Sequence, residues 1–220
     1  MSREMQQEYW NVVSQEKKFT LPLHYTRFEH LLESHARILD VGCGYGRSLI
    51  ELSNYGHPHL YGIDFSANMI ERGKQLYPNL NLQVMDSPSI PYPDKTFDAV
   101  ILFAVLTCIA SNEEQNYLLQ EINRILVPGG IIVISDFLLN TDHRNIERYK
   151  KHEDSYPHYG TFQLPKGGVC RHHSLTWVHD SLSIFETVRF EEERFTTMNG
   201  NPSNGYYFIG KKEVNEKHCG

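Results

Sequence analysis

The 220-residue sequence contains few cysteines and no long apolar run, and these two absences exclude several classes of protein. Its four cysteines, at positions 43, 108, 170 and 219, form no Cys-x-x-Cys pair, so neither a zinc site nor a disulfide framework is indicated. No apolar run approaches the ~18 residues of a membrane-spanning helix, and residues 1–16 are polar and charged without an apolar core. We therefore expect a protein of the reducing cytoplasm that has no membrane partner.

Clusters of positive charge are also missing. The formal net charge is −6 with histidines neutral, and no run of lysine and arginine is longer than a pair. A partner held through many phosphates requires such clusters, so nucleic acid is not expected as a partner. The length suits one doubly wound α/β domain with an insertion, and it is enough to bury a full core.

The sequence does contain a glycine-rich turn directly after a short apolar segment. Residues 38–46 read Ile-Leu-Asp-Val-Gly-Cys-Gly-Tyr-Gly, which predicts a buried strand and a tight turn before a helix over 47–54. Glycines without a Cβ let a ligand lie against the main chain, although such a turn can also merely join a strand to a helix. A dinucleotide dehydrogenase has Gly-x-Gly-x-x-Gly, and the position of its last glycine holds Arg47 here, so NAD is the weaker of the nucleotide interpretations.

A second short apolar segment, residues 61–63, ends in Asp64, which lies 18 positions beyond Gly46. A carboxylate at this place can accept hydrogen bonds from both hydroxyls of a ribose. Ser66 follows as the expected N-cap of a helix over 67–76. Asp64 is therefore the sharpest prediction of a ligand-binding residue.

Strand and helix patterns then alternate as far as residue 137. Apolar strand patterns cover 80–85, 97–103 and 131–137, and a helical pattern covers 112–126 before Pro128-Gly129-Gly130. Such alternation is typical of a mostly parallel sheet covered by helices.

Residues 36–138 resemble the class I S-adenosylmethionine-dependent methyltransferases, in particular the small-molecule branch that includes the ubiquinone and menaquinone biosynthetic type. Four motifs carry the resemblance: 38–46, 62–66, Asp86-Ser87 with 91–98, and 121–130. The resemblance implies an α/β, Rossmann-like fold with a seven-stranded, mostly parallel sheet, an antiparallel last strand and helices on both faces. Segments 188–195 and 206–209 would form its edge hairpin. The implied reaction is in-line methyl transfer from S-adenosyl-L-methionine, producing S-adenosylhomocysteine.

The resemblance also implies which residues hold the cofactor. The methionine part would lie on Asp40 and on the backbone of Gly42, Cys43 and Gly44, and the ribose on Asp64. The adenine would contact Phe65, Asp86 and Ser87, although Asp86 can also be read as an acid that only solubilises a strand end. Phe103 would border the sulfonium.

The acceptor is expected to be a small molecule with apolar character. Methyltransferases of base amino groups have Asn or Asp, then Pro-Pro and an aromatic residue, after the fourth strand, whereas residues 103–106 read Phe-Ala-Val-Leu here. An insertion at about 140–173 leaves the ligand-binding edge of the sheet and is expected to cover the acceptor. We expect a helical lead-in or lid over 1–37, a methyltransferase domain over 38–211 and a flexible tail over 212–220.

Catalysis of this reaction requires no particular residue, because the donor is already activated and positioning with desolvation can supply much of the rate. If the acceptor must lose a proton, His173 and Asp136 are the candidate bases. No spacing indicates a metal site. The sequence leaves open the acceptor atom, the oligomeric state and two alternatives, which are an NAD-type enzyme and a noncatalytic S-adenosylmethionine-binding protein.

Overall fold

The computed structural model describes residues 3–214, which form six α-helices and nine strands. In chain order these elements are α1 (Arg3–Val13), β1 (Arg37–Val41), α2 (Arg47–Asn54), β2 (His59–Asp64), α3 (Ala67–Leu76), β3 (Asn81–Val84), β4 (Phe97–Phe103), α4 (Asn112–Ile125), β5 (Leu126–Phe137), α5 (His143–His152), β6 (Thr161–Gln163), β7 (Val169–Arg171), α6 (Leu175–Leu182), β8 (Glu186–Thr196) and β9 (Pro202–Lys211).

Seven of these strands form one sheet in the order β3-β2-β1-β4-β5-β9-β8. The first five are parallel, and β9 runs antiparallel to both β5 and β8. The predicted sheet, its antiparallel last strand and its edge hairpin are thus confirmed. The chain leaves β1 in one direction for β2 and later returns to its other side for β4, which opens a crevice at the carboxyl edge of the sheet.

The central strands are apolar on both sides because helices cover both faces of the sheet. In β4, Val100 and Leu102 pack on one face with α4 and α6, while Ala99 and Ile101 pack on the other face with α2 and α3. Each fully buried Val, Leu or Ile side chain of this kind contributes about 1.5–3 kcal/mol of transfer free energy. This packing fixes the strand register and hence the positions of the residues at the strand ends.

The structure corrects one boundary. The sequence predicts that Pro128-Gly129-Gly130 ends the helix before a strand that begins at Ile131, but β5 already begins at Leu126. Phe97 pairs with Leu126 and Ala99 pairs with Ile131, so the residues between Leu126 and Ile131 form a bulge within the strand. Gly129 at φ 78° allows the bulge.

Two segments lie over the carboxyl edge of the sheet. Helix α1 packs on α3, and the chain after β5 forms α5 and the small antiparallel sheet β6–β7. The sequence patterns gave no indication of that small sheet.

Of the predicted tail, residues 215–220 lie outside the described residues, and Lys212 donates to the carbonyl oxygens of Asn123 and Leu126. Within residues 3–214, no helix is long and apolar enough to cross a membrane.

Candidate active site

A cavity of about 970 Å³ lies at the carboxyl edge of the sheet. Its floor is formed by the ends of β1, β2, β4 and β5, and its walls by the segments around α1 and α5. A crevice at this place is where open α/β sheets bind ligands, and the volume reaches the upper end of the range for small-molecule sites.

The glycine turn after β1 brings main chain to the cavity. Gly42 has φ 71°, and a Cβ added there would lie 2.5 Å from Val105. The amides of Gly42 and Cys43 donate to the Ile63 carbonyl at 2.8 and 3.0 Å, which holds the turn against β2. No residue other than glycine fits position 42 without strain and collision.

Asp64 is buried at the end of β2 and faces the cavity. Its Oδ2 accepts from the Gly44 amide at 2.8 Å, and its Oδ1 accepts from the Ser66 amide at 2.7 Å. Burial raises the pKa of Asp64 to about 6, although both hydrogen bonds lower it. Each carboxylate oxygen keeps a further acceptor position, so two donors from a ligand can still be bound.

Asp40, at the end of β1, is buried against the same cavity. Among the described residues none donates a hydrogen bond to its carboxylate, and burial raises the pKa of Asp40 to about 8 although Arg47 lowers it. A buried carboxylate without a donor suits a cationic ligand group. The methionine part of S-adenosylmethionine has such a group, its ammonium, and the exposed main chain at Gly42 leaves space for it beside Asp40.

Seven of the nine predicted cofactor residues line the cavity, and two do not. Those that line it are Asp40, Gly42, Cys43, Asp64, Phe65, Ser87 and Phe103. Gly44 is covered by the Phe19 ring and offers its amide to Asp64 instead. Asp86 is exposed, and beside it the Arg3 guanidinium donates to the carbonyls of Met85 and Ser87 at 3.0 and 2.9 Å. A role for Asp86 toward adenine stays a prediction.

Neither candidate base borders the cavity. The Gln115 amide lies 2.9 Å from His173 Nε2, and the Phe137 carbonyl lies 3.2 Å from Nδ1. Burial lowers the pKa of His173 to about 3, so the ring is neutral. Its two nitrogens connect α4, through Gln115, to the end of β5, through Phe137. Asp136 accepts from the amides of Thr107 and Phe137, and burial raises its pKa to about 7. Their geometry therefore does not support a role in proton removal.

The N-terminal segment supplies part of the wall. Tyr9, Trp10 and Phe19 line the cavity, and Phe19 stacks on Tyr45 with 5.0 Å between ring centroids. Tyr25 does not line the cavity, and its hydroxyl lies 2.7 Å from His57 Nε2.

Residues of α5 and β7 also line the cavity, and the only sequence feature that pointed to them was their position in the predicted insertion. In the part of the chain that the structure describes, no group of three or more His, Cys, Asp or Glu side chains could hold a metal ion.

Comparison with known proteins identifies the family of this arrangement. Residues 39–134 match the family described as a methyltransferase domain. A sterol 4-C-methyltransferase from Caenorhabditis elegans is 25% identical over 185 residues, covering 80% of this chain and 52% of the relative. A demethylmenaquinone methyltransferase from Staphylococcus saprophyticus is 38% identical over 109 residues, covering 46% and 45%. A probable tRNA methyltransferase from Bos taurus also matches, at 29% over 111 residues, covering 50% of this chain and 23% of the relative.

A solved S-adenosylmethionine-dependent methyltransferase from Methanosarcina mazei shares the fold, with a TM-score of 0.82 and 24% identity over 88% of this chain and 100% of that one. The chain spans about half the length of the curated relatives named above or less. The methyltransferase match covers the glycine turn and Asp64, and it decides against the NAD interpretation. Residues 39–134 therefore form a methyltransferase domain of the class I S-adenosylmethionine-dependent type.

Proposed function

We propose that this protein transfers the methyl group of S-adenosylmethionine to a small-molecule acceptor. One observation carries the proposal: a single cavity contains both the acid-lined glycine turn and the side chains of the segment after β5. The two ligands of a transfer reaction would thus share one enclosed space. Methyl transfer in line requires this closeness, because the nucleophile must approach the methyl carbon directly.

The residues at the glycine turn would bind and orient the cofactor, which supplies a methyl group on a positively charged sulfur. Asp40 would hold the ammonium group and Asp64 the ribose hydroxyls. Trp10, Phe19 and Phe103 would exclude water from the transferred group, since all three are aromatic and line the cavity. Exclusion of water strengthens these electrostatic contacts.

A small acceptor is favoured over RNA by the charge and by the cover of the cavity. The net charge is −6, and α1 together with the segment after β5 leaves room for a ligand of limited size. A tRNA acceptor, suggested by the name of one relative, would require an extended basic surface. Methylation of RNA by the purified protein at moderate salt, without any small acceptor, would contradict this part of the proposal.

The role of Asp64 can be tested with a matched pair of variants. Asp64→Asn should weaken the binding of S-adenosylhomocysteine by about tenfold or more, because a charge-assisted hydrogen bond is lost. Asp98→Asn is the control, since Asp98 also accepts a backbone amide, that of Arg37 at 2.8 Å, but does not line the cavity. Titration calorimetry measures both affinities. An unchanged affinity in Asp64→Asn would show that the ribose lies elsewhere.

A further inference from the structure

The end of the cavity beyond β5 is positively charged. Arg144 and Arg148 of α5 both line it. Arg144 lies 3.8 Å from Asp142, whereas no carboxylate among residues 3–214 lies within ion-pair distance of Arg148. The Arg148 guanidinium carbon lies 3.6 Å from the centroid of the Phe162 ring, and its Nε is buried without a hydrogen-bond partner. An arginine held in this way keeps its charge and can bind an anion.

His172 lies beside Arg148, and its hydrogen-bond partners determine which ring nitrogen carries the proton. Asn140 Oδ1 accepts from the Asn204 amide at 2.7 Å, so the atom of Asn140 that faces His172 Nδ1 at 3.2 Å is the NH₂ nitrogen. The Tyr149 hydroxyl accepts from the Asn140 backbone amide at 3.2 Å and from the Arg148 guanidinium, and its oxygen lies 2.6 Å from Nδ1, to which its own proton can be donated. Nδ1 is therefore an acceptor, and the proton of the neutral ring is on Nε2.

The two groups at the cavity wall are consequently both donors. His172 Nε2 and Arg148 Nη2 are 3.4 Å apart, and neither can accept from the other. Both residues line the cavity, and His172 is only 5% exposed. An oxygen atom with negative charge, placed against both, would accept from His172 Nε2–H, which otherwise lacks an acceptor, and from the Arg148 guanidinium, which otherwise donates to the neutral Tyr149 hydroxyl.

The surroundings indicate what else the ligand contains. Phe137, at the end of β5, stacks on His172 with 5.6 Å between ring centroids, and Phe162 and Leu164 complete an apolar wall. The opposite end of the cavity holds the acids Asp40 and Asp64, with Arg47 near Asp40. An anionic group of a ligand would be attracted to Arg144 and Arg148 at the α5 end.

We propose, on the basis of the proposed function, that the methyl acceptor is an apolar molecule with a carboxylate group bound by Arg148 and His172 Nε2–H. The planar guanidinium fork matches the geometry of a carboxylate. Arg148 is then a determinant of acceptor specificity and takes no part in binding the cofactor.

The test compares carboxylic acids with their primary amides. Melting temperatures of the wild-type protein are measured with saturating S-adenosylhomocysteine and a panel of aromatic and alkyl acids, each paired with its amide. At least one acid should raise the melting temperature above the value reached with its amide. Arg148→Gln should weaken the binding of that acid by about tenfold to a hundredfold and leave the shift caused by S-adenosylhomocysteine unchanged.

Arg189→Gln is the matched control, because Arg189 pairs with Glu191 on strand β8 and does not line the cavity. It should retain the preference for acids. If Arg148→Gln shows no cooperative melting, Arg148→Lys replaces it, and this variant should bind the acid more weakly than the wild type because it lacks the fork.

The outcomes separate this inference from the proposed function. The carboxylate proposal would be overturned if S-adenosylhomocysteine stabilises the protein but no acid is preferred over its amide. It would also be overturned if Arg148→Gln keeps the same preference for the acid. Both results would leave the methyltransferase proposal intact. No stabilisation by S-adenosylhomocysteine would overturn the methyltransferase proposal. The same acid and amide pairs, tested without it, would still decide whether Arg148 binds a carboxylate.

Discussion

At the scale of single residues, Gly42, Gly44 and Gly46 all adopt positive φ, and Gly42 is the one of the three that borders the cavity. The sequence predicted this turn and Asp64 because both depend on local order: a glycine spacing, and an acid at the end of an apolar strand. It did not predict the cover of Gly44 by Phe19 or the proximity of Arg148 to His172. Those contacts join segments that are distant along the chain, and side-chain packing alone determines them.

A pair of glycine substitutions tests the close approach at the turn. Gly42→Ala should destabilise the fold more than Gly56→Ala does, by about 1–3 kcal/mol, because both positions have positive φ but only position 42 would collide with Val105. A Cβ at Gly56 would meet no atom within 4 Å. Urea unfolding measures the difference. An equal decrease in the free energy of unfolding in both variants would show that the Val105 side chain moves aside without destabilising the fold.

Asp40 should make stability depend on pH. Its folded-state pKa is raised from 3.8 to about 8, so between these values the folded state binds more protons than the unfolded state. The free energy of unfolding contributed by Asp40 therefore falls as pH rises through this window. Asp40→Asn should gain stability relative to the wild type as the pH increases from about 4 to about 8. Urea unfolding at several pH values measures this difference, and a constant difference would contradict the raised pKa.

At the scale of elements, helices α2 and α3 begin and end at the predicted residues, and Ser66 caps α3 by accepting from the Met69 amide at 3.2 Å. Apolar periodicity, caps and breakers determine such elements locally. The small sheet β6–β7 and the docking of α1 were not predictable in this way. The strands β6 and β7 are only three residues long. The position of α1 depends on tertiary contacts, such as the bond that Gln6 Nε2 donates to the Val169 carbonyl at 2.8 Å and the bond that Gln6 Oε1 accepts from the Val169 amide at 2.9 Å.

The attachment of α1 should depend on Asn11. Its Oδ1 accepts from the Ser66 hydroxyl at 2.7 Å and from the Asn68 amide at 3.2 Å, which fixes α1 to the start of α3. Asn11→Ala should increase amide hydrogen exchange in Arg3–Val13, because these two bonds are lost. Asn79→Ala, at an exposed loop residue, is the control and should leave that exchange unchanged. Equal exchange in both variants would mean that other contacts hold α1.

At the scale of the whole molecule, the cavity combines several parts of the chain: the N-terminal segment, the strand ends with the loops that follow them, the start of α4, the segment after β5 and the turn between β8 and β9. The order of strands could be expected from the repeated strand and helix pattern together with the family resemblance. The size of the cavity could not, since it depends on how two covering segments pack over one sheet edge. Asp40 and Asp64 lie at the glycine turn and Arg144 and Arg148 at the other end, so each end offers charged side chains to a different ligand.

The central claim is that this cavity binds S-adenosylmethionine, and the most direct test is the melting temperature of the purified protein with S-adenosylhomocysteine or with NAD. A ligand that binds only the folded state stabilises it by RT ln(1 + [L]/Kd), which is about 2.7 kcal/mol at a hundredfold excess over Kd. We predict a clear rise with S-adenosylhomocysteine and none with NAD. A rise with NAD alone, or no rise with either, would contradict the account.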